Sequence, residues 1–116
     1  MKHFTLNEFE CQCGCGEKPM QPSFLNAIDK ARDAAGVPFV ITSGYRCAEH
    51  NAAVGGVENS AHVKGCAADI ACSSSTQRFA IICGLLTAGF SRIGIADGFV
   101  HCDNDKNKPE GVIWTY

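Results

Sequence analysis

Apolar positions recur at helical spacing over Pro22 to Ala35, where Phe24, Leu25, Ile28, Ala31 and Ala35 fall on one face. Pro22 stands near the start of this run and Gly36 just past its end, the order expected of a helix that opens on proline and closes on glycine. The spacing predicts an amphipathic helix whose role is packing. A second helix is expected over Thr76 to Ala88, with Phe79, Ile82, Leu85 and Leu86 as its apolar set, Ser73-Ser74-Ser75 to cap it and Gly89 to stop it. Shorter β-branched or apolar runs read as strands: Pro38 to Ser43, Ala67 to Ala71, Arg92 to Ile95, Phe99 to Cys102 and Val112 to Thr115. Asp97-Gly98 between two of them is a hairpin signal. Thr5-Leu6-Asn7-Glu8 has the capping-box form, with Phe4 and Phe9 placed to anchor a short turn, and Ala48 to Val54 reads as a short helix. Helices followed by hairpin-linked strands predict a small α+β domain, a single unit over residues 1–116, in which an antiparallel sheet is flanked by two main helices.

Charge and composition narrow the partners. The net charge is −2 with no basic cluster, so neither nucleic acid nor an anionic membrane surface is an expected partner. No apolar run reaches transmembrane length, and Met1-Lys2-His3-Phe4 lacks the apolar core of a secretory signal. The expectation is synthesis in the cytoplasm without a signal peptide, with export depending on outside help.

Eight cysteines would suggest a disulfide framework in a secreted chain; without a signal they read as free thiols or metal ligands. Cys72, Cys83 and Cys102 sit in apolar segments and are expected to be small buried hydrophobes. Cys11-Gln12-Cys13-Gly14-Cys15 puts three thiols in five residues, enough for a second metal or a disulfide. Structural zinc sites ordinarily use two C-x(2–4)-C pairs, and only Cys11 to Cys15 approaches that spacing, so the expectation is against a second metal here.

The chemistry concentrates in Ser60-Ala61-His62-Val63-Lys64-Gly65-Cys66-Ala67-Ala68-Asp69. An aspartate in so apolar a stretch is costly unless it is paired or bound to metal. His62 and Asp69 are therefore candidate zinc ligands, and His101, on the strand Phe99 to Cys102, is the candidate third. Two histidines and a carboxylate on neighbouring strands match a catalytic zinc site with one open position. Strand alternation puts His101 and Asp103 on one face and Val100 and Cys102 on the other. His3 reads as a surface residue, and His50 as a surface residue or one that supports a ligand from behind. Such a site needs a carboxylate to take a proton from water and pass it to a leaving amine, and either Asp97 or Asp103 is placed for it. Asp97 is better explained by its turn, and Asp103 is also explained by a role orienting a ligand or by a place in a surface loop. Arg46 offers a fixed cation for a substrate carboxylate or oxyanion, or else a surface ion pair.

These residues carry a resemblance. Ser43-Gly44-Tyr45-Arg46, His50-Asn51, Val54-Gly55-Gly56, the S-x-H-x-x-G-x-A-x-D string from Ser60 to Asp69, Gly89 to Ile95, Phe99-Val100-His101 and Val112 to Tyr116 resemble the M15 zinc peptidases. That family includes D-alanyl-D-alanine carboxypeptidases and phage endolysins that cut peptidoglycan stem peptides. The resemblance implies a hedgehog/D-Ala-D-Ala peptidase-like fold and one catalytic zinc held by His62, Asp69 and His101. It implies that Arg46 binds or polarises substrate and that Ser60 supports the site. Many relatives carry an acidic base three residues before the second histidine, where this chain has Gly98. The expected activity is hydrolysis of peptide bonds in peptidoglycan stem peptides or crosslinks, by a monomer acting on the cell wall or in the periplasm. The alternative is a catalytically silent, zinc-stabilised cell-wall-binding module.

Overall fold

In the computed structural model, which describes residues 1–116, the longest apolar stripe forms α1 (Pro22–Ala35). Pro22 occupies its first turn, and Gly36 ends it at a left-handed φ of 69°, its N–H returning to the Arg32 carbonyl. Phe24, Ile28 and Ala31 are its buried face. α2 (Ala48–Ala53) is one short helix, and α3 (Ser75–Thr87) opens on Ser74, whose hydroxyl accepts from the Gln77 N–H. Near the N-terminus, Leu6–Phe9 forms a 3-10 turn held by the Thr5 N–H on the Glu8 carboxylate, and both Phe4 and Phe9 are buried.

The strands are β1 (Ile41–Ser43), β2 (Ala67–Ala71), β3 (Arg92–Ile95), β4 (Phe99–Asp103) and β5 (Val112–Thr115), in the order β1-β2-β4-β3-β5. The first four pair antiparallel, whereas β5 adds to β3 in parallel. The sheet is therefore mixed rather than wholly antiparallel, because the connection from β4 passes β3 before returning. β1 is also shorter than the run Pro38 to Ser43, and its register shifts between Ile41 and Ser43.

Alternation divides the sheet into two faces. Ile70, Val100, Cys102 and Ile93 enter the same buried cluster as Phe24, Ile28, Ile81 and Leu85 from α1 and α3. Burial of each large side chain stabilises the fold by about 1.5–3 kcal/mol. Phe24 and Phe90 meet edge-on at 5.8 Å in the same core.

Two packing expectations are corrected. The buried face of α3 is Ile81, Gly84 and Leu85, while Phe79 and Leu86 are exposed. Cys72 and Cys102 are buried as expected, but Cys83 faces solvent. The reason is the approach of α1. A Cβ on Gly84 would lie 2.5 Å from the Ala31 carbonyl oxygen and 2.6 Å from the Ala35 Cβ, so α3 turns its smallest residue toward α1. His3 is also more constrained than a free terminus, since its N–H donates to Asp29 and its ring lies 3.1 Å from Asp33.

Gly84→Ala is accordingly expected to lower stability by about 1–3 kcal/mol through overpacking, despite alanine's better helix propensity. The exposed control Phe79→Ala should stay within about 0.5 kcal/mol of wild type. Urea denaturation midpoints measure both, and a Gly84→Ala protein as stable as wild type would show that the helices separate freely.

Candidate metal centre

The pairing of β2 with β4 sets Asp69 directly opposite His101. The same row continues to Gly94 on β3 and Trp114 on β5. All four lie on the face turned away from the helices. His62 comes from the turn before β2, where Ser60 Oγ accepts the His62 N–H and the His62 carbonyl accepts the Arg46 N–H. Each histidine has one ring nitrogen already engaged. His62 Nδ1 lies 2.7 Å from the Gly44 carbonyl oxygen, and His101 Nε2 lies 2.7 Å from Asp103 Oδ2. The free nitrogens then face one carboxylate: His101 Nδ1 is 2.9 Å and His62 Nε2 3.4 Å from Asp69 Oδ1. The ligating atoms of the three residues fall within 4.8 Å of one another.

The electrostatics follow from that convergence. Burial alone would raise the Asp69 carboxyl, but hydrogen bonds from His101 and His62 hold it well below the usual carboxylate range. Burial works against a charged His101, yet Asp103 and Asp69 together push its pKa up. Asp103, only 2 % exposed, is also held low against its burial by His101, the Asp105 N–H and Arg92. Its Oδ1 accepts from Arg92 Nε at 2.7 Å and from the Asp105 N–H at 3.1 Å. Both oxygens are thus engaged, and Asp103 fixes the His101 ring through Nε2 in the manner of a carboxylate that orients a metal-binding histidine.

The centre lies in a cleft of about 490 Å³ whose wall also includes Arg46, Val57, Trp114 and Tyr116. Arg46 donates from one terminal nitrogen to Asn51 Oδ1 at 3.0 Å, while its Nε is buried with no partner. Asp97 is not brought to this cleft. It sits at the β3–β4 turn, where its carbonyl accepts from Arg78, and it borders a separate shallow depression beside Thr115. His50 and His3 likewise lie outside the cleft wall.

Two contributors escaped the sequence reading. Arg92 bridges Asp103 to the Pro109 carbonyl and lies 5.1 Å over the Trp114 ring. Trp114 packs 5.4 Å from the His101 ring, and a Cβ on Gly94 would come within 2.7 Å of its indole nitrogen. Strand alternation of Arg92 with Gly94 was the available signal for the first; the second depends on a strand pairing that local sequence does not specify.

The donor set is one that suits a transition metal: two imidazole nitrogens, each with its other ring nitrogen held, and one carboxylate oxygen. Fold and centre together define a small α+β domain in which a histidine–aspartate–histidine cluster, a candidate metal site, lines an open cleft. The profile of the Peptidase M15 family matches residues 2–103, and the chain belongs to that family, which makes it a hydrolase of the peptidase class. No curated protein sequence matches the chain at a significant level. No helix is long and apolar enough to cross a membrane.

Removing the carboxylate that supports this centre should cost folding stability even with metal chelated away. Asp103→Ala leaves Arg92 Nε and His101 Nε2 without their shared carboxylate in a buried setting and is expected to destabilise by about 3–5 kcal/mol. Asp103→Asn, which keeps one acceptor oxygen, should cost less. Chemical denaturation in excess chelator tests this, and an unchanged midpoint for Asp103→Ala would contradict the structural role.

Proposed function

We propose that the protein is a zinc-dependent peptidase that hydrolyses peptide bonds in peptidoglycan stem peptides or crosslinks. The observation that carries this reading is the convergence of His62 Nε2, Asp69 Oδ1 and His101 Nδ1 within an open cleft that Arg46 also lines. These three atoms would hold the ion, which when bound would polarise the scissile carbonyl and lower the pKa of water. The chain's own groups set up the rest. The Gly44 carbonyl and Asp103 hold His62 and His101 in the tautomers that leave one nitrogen of each free. Arg46 lines the cleft with a guanidinium, a cation suited to a substrate carboxylate or to the oxygen of the carbonyl under attack. Ser60 is assigned to the support of His62 rather than to direct substrate contact. Trp114 and Val57 supply apolar surface to the cleft wall.

Proton handling separates this reading from the second one. Asp69 and Asp103 are the two carboxylates in the cleft wall, and both are engaged. Asp103 is assigned as a positioning residue, and Asp97 is left out of the chemistry. That shortage of a free carboxylate supports a family member that holds metal and cell-wall peptide without turnover.

A product-resolved digest of crosslinked and uncrosslinked muropeptides by the zinc-loaded monomer distinguishes the two. Cleavage that His62→Ala abolishes, together with a zinc affinity about 10–100-fold weaker in Asp103→Asn, is the expected result. Stoichiometric zinc in the wild type with no new amine from any muropeptide would select the silent reading. Cleavage undiminished in His62→Ala would remove the metal assignment.

A further inference from the structure

A second group of candidate ligand atoms gathers around Cys47, the residue after Arg46. The loop after the 3-10 turn carries Cys11, Cys13 and Cys15, and it closes on itself through the Cys11 N–H to the Glu17 carbonyl at 2.8 Å. Gly14 and Gly16 adopt left-handed φ values of 86° and 78°, which turn the chain between and after the thiols. A fourth thiol arrives from far along the sequence. Cys47, the residue before α2, places its sulfur 3.6 Å from that of Cys13, while Cys11 and Cys13 sulfurs are 3.4 Å apart. All four sulfurs lie within 4.8 Å of one another.

We propose that Cys11, Cys13, Cys15 and Cys47 bind one zinc ion as a four-thiolate structural site, distinct from the histidine–aspartate centre. Zn–S bonds of about 2.3 Å put the sulfurs of a tetrahedron about 3.8 Å apart, the scale of the spacings found here. A disulfide accounts for less, since it joins two sulfurs at about 2.05 Å and leaves the convergence of the other two unexplained. The backbone is also arranged for sulfur bearing negative charge. The Cys47 N–H points at Cys11 Sγ and the His50 N–H at Cys47 Sγ, each at 3.4 Å. Cys13 and Cys15 are exposed, which gives an ion a path in, and Cys11 is buried, which anchors the site to the core.

The site's position gives it a consequence. Cys47 follows Arg46 directly, and Tyr45 donates its N–H to the Phe9 carbonyl two residues before Cys11. A metal here clips the N-terminal loop to the segment that carries Arg46 and the carbonyl orienting His62. This site does not depend on the peptidase reading.

The test is metal stoichiometry in a background without the first centre. Full-length His62→Ala, purified under reductant after expression with zinc, is expected to retain one zinc by native mass spectrometry, and adding Cys13→Ser and Cys15→Ser should remove it. Cobalt-loaded His62→Ala should show intense thiolate-to-metal charge-transfer absorption, lost in the same serine variants. Wild type supplies a check that needs no cysteine substitution: with zinc present, these four thiols should resist alkylation and become reactive on chelation. Zinc-free His62→Ala, zinc retained by the serine variants, or four thiols alkylated regardless of zinc would each overturn the proposal. A protein isolated with these cysteines as disulfides, two mass units lighter per pair, would overturn it as well. Failure of the muropeptide digest with the thiolate zinc intact would count against the peptidase reading alone.

Discussion

The register of β2 against β4 is the constraint on which the site rests. Ala68, Ile70, Val100 and Cys102 point into the core, so the period of two obliges Asp69, His101 and Asp103 to point out of it. A slip of one residue would expose the core set and bury three ionisable groups. The hydrophobic demand of one face thus sets which polar side chains converge on the other. The same demand carries across β3 and β5, where Gly94 and Trp114 continue the row and put an indole against the His101 ring.

Charge on that outer face is tolerated because it is distributed through a connected network. Asp103 is nearly inaccessible, a placement that costs several kcal/mol for an unpaired carboxylate. Here it receives Arg92, the Asp105 N–H and the His101 ring. The loop after β4 is folded by the same means, with Asp105 buried between Lys64 at 2.8 Å and Lys108 at 3.5 Å. Arg92 reaches back to that loop through the Pro109 carbonyl. The polar segment Asp103 to Gly111 is therefore a buttress of the centre as well as a connection to β5. Asp103's engagement with three partners also explains why its pattern position, beside His101 on one strand face, is better suited to orienting the ring than to accepting a proton.

Much of this was legible in the residues. Pro22 and Gly36 bracket α1 where the pattern placed it, and the Asp97-Gly98 turn joins β3 to β4. The S-x-H-x-x-G-x-A-x-D string and the downstream Val-His picked out the three residues that converge. What stayed hidden depends on contacts distant in sequence. Apolar residues lie all around α3, so its periodicity could not select Ile81 over Phe79; the small volume of Gly84 against α1 did. β5 joins the sheet in parallel because β3 is the neighbour it reaches, a choice that no local turn residue encodes. Cys47 was invisible as a partner of Cys13 for the same reason, since 34 residues separate them. Asp97 illustrates the opposite error, in which closeness to His101 along the chain suggested closeness in space, whereas the hairpin carries it to the far end of the strands.

The segment from Gly44 to Cys47 links the histidine–aspartate cluster to the four thiols. β1, which precedes it, is only three residues long and irregularly paired, so ladder hydrogen bonds alone hold it weakly. Yet the segment must place the Gly44 carbonyl within 2.7 Å of His62 and aim Arg46 into the cleft. Its further ties are single contacts: Tyr45 to Phe9, Arg46 to the His62 carbonyl and Arg46 to Asn51. A chain of 116 residues has a limited core with which to stiffen such an edge. Small domains commonly answer that shortage with a metal or a covalent staple. Four thiols gathered at the end of this segment are placed where such a staple has the greatest effect on the cleft, because fixing Cys47 fixes Arg46 beside it and leaves the cleft itself open.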